Sequence, residues 1–377
     1  MTKKTLFLVA GGSGGHIVPA LELAKQWKQT NPAGYVLFFG QKASLDQKIL
    51  EHNKFLNNII YCALNKFSLR KFWRLPALLW QIPAIFLKSF YYCLKLKPTK
   101  IITTGGLIAI PVCLAGRLLG KYIVLYELNV IPGKAIKLLS IFAHKIAIVF
   151  QKTALYFNFL FFKNAHKCEL HTYPIRFTQQ DKIYNKPDLI ALINTLKQDL
   201  TPNFNTHNFD ISRKTLFILG GSQGSLLLNN LIKKFIEQNS QNPDRLKHIQ
   251  VIHQTGKITN PINTTNNNKT SANWTNWPVF YNKHNIPAFT FDYYDNIKNC
   301  YALSDLVICR AGAGTLFELV FFEKPCIIIP LVAQTTNHQV ANAHEIAAQY
   351  PQLCTVIEQE EVQLNPELLF KSIIKKL

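Results

Sequence analysis

The stretch T-L-F-L-V-A-G-G-S-G-G-H-I, residues 5–17, decides the fold class of this chain. Thr5–Ala10 is an apolar run of strand length, and Gly11-Gly12-Ser13-Gly14-Gly15-His16 follows it directly. A helical pattern then runs to about Lys28, so the stretch predicts a βα unit of a parallel sheet. Glycines let a ligand approach the backbone, and a helix start offers free N–H groups to an anion.

The glycine turn departs from the common nucleotide-binding motifs. Ile17 stands where a dinucleotide fingerprint has its third glycine, and the second strand ends at Gly40-Gln41 without an acid for a ribose. No Gly-Lys-Ser/Thr follows, which excludes the phosphate loop of the Walker type. The alternative to a ligand loop is a turn made only for tight packing.

The same succession of strand, glycine turn and helix occurs again in the second half, around Gly220-Gly221-Ser222-Gln223-Gly224-Ser225. The strand candidates of the two halves are Thr5–Ala10, Tyr35–Gly40, Lys100–Thr103, Tyr122–Tyr126, Thr215–Leu219, Gln250–His253, Leu306–Cys309 and Cys326–Ile329. A polar stretch over 177–214 separates them. We therefore expect an α/β chain with two Rossmann-like domains, residues 1–176 and 177–360, whose parallel sheets face each other across a cleft. A C-terminal helix at about 361–377 is a candidate to pack back on the first domain.

Length, charge and cysteines limit the class of protein. The 377 residues suit two domains at roughly 150 residues each. There are 42 Lys and Arg against 21 Asp and Glu, so an anionic partner is expected. The eight cysteines form no C-x-x-C pair, which is typical of a reduced, cytosolic protein, and no secretory signal is visible. The most apolar segment, Leu75–Leu87, is too short for the ~20 residues of a membrane span.

Two further polar segments follow predicted strands of the second half. In Arg310-Ala311-Gly312-Ala313-Gly314-Thr315, the threonine can bind a phosphate oxygen, and Glu318 can accept two hydrogen bonds from a ribose. Thr315 and Glu318 also have the spacing of a helix capping box, and both interpretations stay open. The segment Asn337-His338-Gln339-Val340-Ala341-Asn342 offers uncharged amides suited to sugar hydroxyls.

Seven stretches occur in the order that one family shows. They are GGSGGHIVP (11–19), YELN (126–129), YPIR (173–176), GGSQGSLLLN (220–229), HQTG (253–256), YALSDLVICRAGAGTLFE (301–318) and NHQVANA (337–343). Together they resemble the signature stretches of the MurG family, over about residues 5–345. Each is weak alone, but seven in register are specific.

The resemblance implies a GT-B fold and an inverting glycosyltransferase without a cofactor. Its reaction moves N-acetylglucosamine from UDP-N-acetylglucosamine to the 4-hydroxyl of undecaprenyl-pyrophosphoryl-N-acetylmuramoyl-pentapeptide, in peptidoglycan synthesis. Glu318 is implied on the ribose, Gln339 on the N-acetylglucosamine and Tyr294 at the base. The positions implied to bind the UDP-sugar are Ser13, Gly14, Gly15, Asn129, Arg176, Ser222, Tyr294, Ala313, Gly314, Thr315, Leu316, Phe317, Glu318 and Gln339, with supporting sugar contacts from His338 and Asn342.

Metal-independent catalysis is expected because the chain contains no Asp-x-Asp sequence. Helix N-termini with Arg176 can then stabilise the departing UDP. The proton of the acceptor hydroxyl needs a base, for which His16 is the first candidate and Glu127 the second. In the alternative interpretation His16 only shapes the loop.

Basic and aromatic residues alternate between 66 and 97. The patch that we single out consists of Phe72, Trp73, Trp80, Arg70, Lys71 and Arg74. Cations beside aromatic rings suit the headgroup region of an anionic membrane. A buried helix pair with solvated basic ends is the alternative, and the lipid-linked acceptor favours peripheral binding at the cytoplasmic face of the inner membrane.

Two rival functions remain open. A transferase of the same fold acting on another lipid acceptor would share the phosphate loops, although the Asn-His-Gln stretch favours N-acetylglucosamine. A nucleic-acid-binding protein would explain the charge, but the lysines are spread through both halves and no nucleic-acid motif occurs, so no nucleic-acid partner is expected.

Overall fold

The computed structural model describes residues 4–42, 44–51, 53–64, 75–159, 162–182, 185–199, 209–221, 224–240, 246–256, 276–332 and 337–377. The chain divides into two compact units, Met1–Arg176 and Phe177–Leu377. The division falls at the start of the polar stretch that separates the two sequence halves.

The first unit is built on a parallel sheet of seven strands in the order β3-β2-β1-β4-β5-β6-β9. Its strands are β1 (Thr5–Ala10), β2 (Tyr35–Gln41), β3 (Asn58–Cys62), β4 (Lys100–Gly105), β5 (Tyr122–Glu127), β6 (Lys145–Ile148) and β9 (Cys168–Leu170), and a short antiparallel pair is formed by β7 (Asn158–Phe159) and β8 (Phe162–Lys163). The central strand β1 is buried at all six positions, as expected for a strand covered on both faces.

Helices connect these strands. They are α1 (Gly14–Thr30), α2 (Ser44–Glu51), α3 (Leu75–Leu96), α4 (Ala109–Leu118) and α5 (Lys134–Leu139), with 3₁₀ turns at Gln151–Phe157 and Ala165–Lys167. One core cluster joins Phe7 and Val9 of β1 to Ile85 of α3, Val112 of α4 and Ile136 of α5. The sheet side chains of this cluster alternate along the strands, which is the period of a sheet.

The second unit repeats the plan with a six-stranded parallel sheet in the order β12-β11-β10-β13-β14-β15. Its strands are β10 (Lys214–Leu219), β11 (Ile249–Gln254), β12 (Ala288–Phe291), β13 (Leu306–Cys309), β14 (Cys326–Ile328) and β15 (Cys354–Val356). Its helices are α6 (Lys186–Asp199), α7 (Leu226–Asn239), α8 (Trp277–Lys283), α9 (Ile297–Leu303), α10 (Ala313–Phe321), α11 (His338–Gln349), α12 (Gln359–Leu364) and α13 (Glu367–Lys376), with a 3₁₀ turn at Gln179–Asp181.

The C-terminal helix α13 has a buried apolar face. Leu369, Phe370 and Ile373 of α13 are buried in the core cluster of the second unit, and the Phe370 ring lies 5.5 Å from that of Phe235 in α7. α13 therefore contributes to the core of the second unit, which includes the chain to residue 377.

The two parallel α/β sheets confirm the predicted fold class. Thr5–Ala10 and Leu306–Cys309 match the predicted strands end to end, and the other six predicted strands differ by one or two residues at their ends. Among the strands of the two sheets, β3, β6, β9, β12 and β15 were not predicted from the sequence. Each of these strands has five residues or fewer. Within the described ranges, no helix has the length and hydropathy that crossing a membrane requires.

Candidate functional site

The loops that follow β1, β4 and β5 lie at one edge of the first sheet, because parallel strands end at the same edge. Two close contacts join the first two loops. A Cβ atom on Gly106 would lie 2.7 Å from the carbonyl oxygen of Gly11, and one on Gly105 would lie 3.2 Å from Cε1 of His16. Gly105 and Gly106 also have φ angles of 116° and 95°, which favour glycine. Any side chain there would displace the loop that carries His16.

His16 is the third residue of α1 and is half-buried. Its backbone N–H donates to the oxygen of Ser13 over 3.1 Å, and its carbonyl accepts the hydroxyl of Thr104 over 2.8 Å. The backbone of His16 is therefore held in place by the loop after β1 and by the end of β4. Ser13 is the extended N-cap of α1, but its side chain makes no capping hydrogen bond.

The glycine loop already binds an anion of its own. The N–H of Gly12, which has a φ of 87°, donates to Oδ2 of Asp46 over 3.1 Å, and Asp46 is only 1% exposed. A carboxylate near the start of α1 interacts favourably with the helix dipole. The N–H of Gly12 is thus used inside the domain. The sequence analysis did not single out Asp46.

Glu127 ends β5 and is 2% exposed. Its Oε1 accepts the backbone N–H and the side-chain amide of Asn129, over 2.9 and 3.1 Å, and its Oε2 accepts the N–H of Gly133 over 2.9 Å. Burial raises the pKa of Glu127 to about 7, although these hydrogen bonds act in the opposite direction. The hydrogen bonds of this carboxyl group therefore order the loop that contains Asn129. Its pKa also allows the group to exchange a proton near neutral pH.

In the second unit, the loop after β10 packs on the loop after β11. A Cβ atom on Gly224 would lie 2.6 Å from both Cα of Gly256 and the carbonyl oxygen of Thr255. Ser225 is the N-cap of α7, and its hydroxyl accepts the N–H of Leu228 over 3.4 Å. Ser222, the implied UDP ligand of this loop, lies outside the described residues.

Arg310 connects the loops after β10 and β14 with the start of α12. Its Nε donates to the hydroxyl of Ser225 over 3.1 Å, and its Nη1 donates to the carbonyl of Ile329 and to Oε1 of Gln359 over 3.1 and 3.0 Å. The guanidinium is thereby engaged with the protein through Nε and Nη1. This residue positions the loops after β10 and β14.

The polar start of α11 is partly used inside the domain. Oε1 of Gln339 accepts the backbone N–H groups of Ala311 and Leu331, over 3.2 and 3.0 Å. Because only the oxygen can accept, the amide nitrogen of Gln339 points away from these partners. Asn342 is 1% exposed and donates to the carbonyl of Ala311 over 3.4 Å, so its amide forms a hydrogen bond inside the domain, and its sugar contact stays a prediction. His338 is the half-buried first residue of the helix.

The segment Ala313, Gly314, Thr315, Leu316, Phe317 and Glu318 forms the first two turns of α10. Its N-cap is Gly312 and not Thr315, so Thr315 and Glu318 cannot form a capping box. Oε2 of Glu318 instead accepts the hydroxyl of the buried Tyr301 over 2.8 Å. Thr315 and Glu318 are both half-buried, and one turn of helix separates them.

Tyr294 follows β12 and is half-buried. Its hydroxyl donates to Oδ2 of Asp199 over 2.8 Å and accepts the amide of Asn299 over 3.4 Å. Burial, with the carboxylate of Asp199, raises the pKa of Tyr294 well above its usual range. The side chain therefore connects the loop after β12 to Asp199, the last residue of α6. Arg176 is the exposed last residue of the first unit.

The histidine of the HQTG stretch is a structural residue. His253 is fully buried, and its ring nitrogens face the hydroxyl of Tyr281 at 2.9 Å and Oδ1 of Asn229 at 3.0 Å. Burial lowers its pKa to about 3, so the ring stays neutral. The side chains of Tyr301, Asn229 and Arg310 also form hydrogen bonds inside this domain. In the sequence, these residues are marked only by lying close to a predicted strand or a glycine turn.

The membrane patch falls partly outside the described residues, since Arg70, Lys71, Phe72, Trp73 and Arg74 are not described. Trp80 lies on α3 and is 82% exposed. The same helix exposes Leu79, Leu87, Tyr91 and Leu94. Because Trp80, Leu87, Tyr91 and Leu94 follow one another at intervals of seven, four and three residues, they share one face of α3. This face of α3 is therefore apolar and exposed.

Comparison with known proteins connects this geometry to one family. The glycosyltransferase family 28 N-terminal domain matches residues 6–148, and the glycosyltransferase family 28 C-terminal domain matches residues 215–377. A UDP-N-acetylglucosamine–N-acetylmuramyl-(pentapeptide) pyrophosphoryl-undecaprenol N-acetylglucosamine transferase of Borreliella afzelii is 30% identical over 99% of this chain and 88% of its own. The protein of the same name from Pelagibacter ubique is 28% identical over 91% of this chain and 82% of its own. The crystal structure of MurG from Acinetobacter baumannii has a TM-score of 0.63 at 21% identity, with 99% and 90% of the chains covered, which identifies the GT-B fold.

Glu127 generates a prediction about pH. Its pKa is about 7 in the folded protein against 4.5 for the ordinary carboxyl group, so its contribution to stability is complete below about pH 4.5 and is lost as the pH rises to about 7. We expect the free energy of unfolding of the wild type to fall by about 3 kcal/mol relative to Glu127→Gln over that range. Urea denaturation at a series of pH values measures this difference. A constant difference between the two proteins would contradict it.

Proposed function

Because the chain belongs to the glycosyltransferase family of UDP-N-acetylglucosamine–N-acetylmuramyl-(pentapeptide) pyrophosphoryl-undecaprenol N-acetylglucosamine transferases, we propose that it catalyses this transfer in peptidoglycan synthesis. The donor is UDP-N-acetylglucosamine, and the acceptor is the lipid-linked muramoyl-pentapeptide. The nearly full-length similarity to relatives named for this reaction carries the proposal. The loops at the carboxyl ends of both parallel sheets support it, because ligands of such sheets bind there.

The second domain binds the donor in this proposal. Glu318, whose Oε2 accepts the hydroxyl of Tyr301, accepts the hydroxyls of the ribose, and Thr315 binds a phosphate oxygen at the start of α10. Gln339 donates its amide nitrogen to the N-acetylglucosamine, since its oxygen is held by Ala311 and Leu331. The backbone of Tyr294 meets the base. Ser222, Arg176 and the backbone of Ala313, Gly314, Leu316 and Phe317 complete the set that holds UDP.

The chemical step exchanges one bond at the anomeric carbon. The 4-hydroxyl oxygen of the acceptor attacks C1 of N-acetylglucosamine, the bond from C1 to the phosphate oxygen breaks, and UDP leaves with that electron pair. The configuration at C1 is inverted. Helix N-termini and Arg176 stabilise the charge that develops on the leaving diphosphate. The proton of the attacking hydroxyl goes to a base of the first domain.

His16 is the base in this proposal. An imidazole accepts protons near neutral pH, and His16 is anchored at the edge of the first sheet through Ser13 and Thr104. The carboxylate of Glu127 already accepts three hydrogen bonds, so it is less available to a substrate and orders the loop of Asn129. Ser13, Gly14, Gly15 and Asn129 line the same edge and contribute contacts to the substrates.

We also propose that the first domain binds the cytoplasmic face of the inner membrane peripherally. The exposed face of α3 presents Trp80, Leu87, Tyr91 and Leu94 beside the cations Lys88 and Lys95. These positions span about 20 Å along the helix. Apolar side chains of this size enter the interface of a bilayer, while lysines contact anionic headgroups. The acceptor is then bound where its lipid is embedded.

The role of Glu318 predicts a specific effect on the donor. Glu318→Ala removes a charged acceptor for ribose hydroxyls, and losing such hydrogen bonds costs ~1.5–3 kcal/mol, a rise of roughly tenfold or more in the KM for UDP-N-acetylglucosamine. Steady-state kinetics with a fixed acceptor concentration measure it. Glu323→Ala, which removes an exposed carboxylate paired with Lys182, is the matched control and should leave that KM unchanged. An unchanged donor KM in Glu318→Ala with a lowered Tm would show a purely structural role.

The role of His16 predicts a loss of turnover. General-base catalysis contributes typically 10²–10⁴-fold, so His16→Ala should lower kcat by about that factor with little change in donor KM. Glu127→Gln is measured beside it because it keeps most of the volume and removes the charge. If the His16 variant keeps more than about a tenth of kcat and the Glu127 variant does not, the base is Glu127 and His16 shapes the loop.

The membrane surface is tested with liposomes. Replacing Trp80, Leu87 and Tyr91 together by Ser should weaken binding to anionic vesicles roughly tenfold or more, because these side chains lose their apolar burial in the interface. Turnover on a water-soluble acceptor should stay unchanged. Leu364→Ser, on the surface of the second domain, is the control. Retained vesicle binding of the triple variant would exclude this surface.

A further inference from the structure

The glycine loop after β1 needs support from outside its own sequence. Gly11-Gly12-Ser13-Gly14-Gly15 contains four glycines, and glycine loses more backbone freedom on ordering than any other residue. The N-cap side chain of Ser13 makes no hydrogen bond to the helix, so the loop lacks its usual local anchor. Contacts from other elements must therefore hold it in one conformation.

Asp46 supplies such a contact from the first turn of α2. Its carboxylate is 1% exposed, accepts the N–H of Gly12 over 3.1 Å, and lies 3.3 Å from the position of a Cβ atom on Gly11. Hydrogen bonds from N–H groups to a buried carboxylate are among the strong ones. On the other side of the loop, Gly106 closes on the carbonyl of Gly11. The loop is thus clamped between α2 and the end of β4.

The contacts that hold the glycine loop also determine the position of His16. Ser13 follows Gly12, its carbonyl accepts the N–H of His16, and the ring of His16 lies against Gly105. A displacement of Gly12 therefore changes the start of α1 and the position of the imidazole. A shift of about 1 Å in a catalytic group can cost roughly 100-fold in rate.

We propose that Asp46 is a positioning residue of the transferase reaction, which holds the glycine loop through the N–H of Gly12 and thereby sets the position of His16. The proposal rests on the function proposed above. Asp46 does not touch a substrate, and it acts through a hydrogen bond that needs an acceptor oxygen at this point. An amide oxygen can replace that of the carboxylate, whereas a methyl group cannot.

The experiment compares Asp46→Ala with Asp46→Asn, and with Glu51→Ala as a control that removes an exposed carboxylate of the same helix. Asp46→Ala should lower kcat roughly 10- to 100-fold and leave the donor KM unchanged. Asp46→Asn should recover most of kcat, and Glu51→Ala should match the wild type. Wild-type kcat in Asp46→Ala, a kcat in Asp46→Asn as low as in Asp46→Ala, or a rise in donor KM equal to the loss of kcat would overturn the proposal.

A second measurement is independent of activity. Amide hydrogen exchange followed by NMR should show a protected Gly12 N–H in the wild type and in Asp46→Asn, and a displaced His16 ring resonance together with fast Gly12 exchange in Asp46→Ala. If Asp46→Ala does not fold, the wild type and Asp46→Asn decide, and fast exchange of Gly12 in the wild type overturns the inference. A wild type that shows this protection but transfers no N-acetylglucosamine would refute the proposed function and leave the clamp standing.

Discussion

The close approach of glycine backbones at the carboxyl edge of each sheet is the constraint on which the candidate site depends. In the first domain the loop after β4 lies on the loop after β1, with Gly106 against the carbonyl of Gly11. In the second, Gly224 lies against Gly256 in the same manner. A single methyl group at either glycine would come within 3 Å of backbone atoms, which cannot move without displacing a whole loop. These contacts therefore determine where the starts of α1 and α7 lie.

Polar side chains hold the loops in the positions that the close glycine contacts allow. Most buried polar groups in proteins are hydrogen-bonded, and here their partners lie in the loops at the carboxyl edge of each sheet. Arg310 connects the turns after β10 and β14, Gln339 holds Ala311 and Leu331, and Glu127 closes its own loop on Gly133. The edge of each sheet is thereby ordered by the protein alone. An edge organised in advance loses little freedom when a substrate binds, which favours electrostatic stabilisation of a transition state.

Carboxyl groups are buried at the carboxyl edge of the first sheet, although the chain as a whole is strongly basic. The chain carries a formal charge of +21, yet the first domain buries two carboxyl groups, Asp46 and Glu127, beside its loops. Burial disfavours the charged form of Glu127, because it raises the pKa of this carboxyl group although the group accepts three hydrogen bonds. The same effect keeps His253 neutral in the second domain, where it serves as a hydrogen-bonding bridge between α7 and α8. Burial thus assigns different tasks to titratable residues that look alike in the sequence.

The sequence by itself determined the fold class, most of the central strands and the glycine turns after β1 and β10. These features are local, since an apolar run and the glycines behind it predict a strand and a turn without knowledge of the rest of the chain. The order of seven short stretches likewise identified the family. The strand β6 (Lys145–Ile148) was not predicted because it has only four residues and no glycine turn follows it, whereas β13 (Leu306–Cys309), of the same length, is followed by Arg310-Ala311-Gly312.

Only the tertiary structure decided which polar groups form hydrogen bonds inside the protein. Asn342 donates to the carbonyl of Ala311, the side-chain oxygen of Gln339 accepts the N–H of the same residue, and Gly312 takes the N-cap position that Thr315 could have held. Asp46 meets Gly12 across 34 positions of sequence, and α13 covers its apolar face within the second domain. The reason is physical: such contacts depend on which loops the parallel sheet brings together, and residues distant in sequence carry no local pattern that records them.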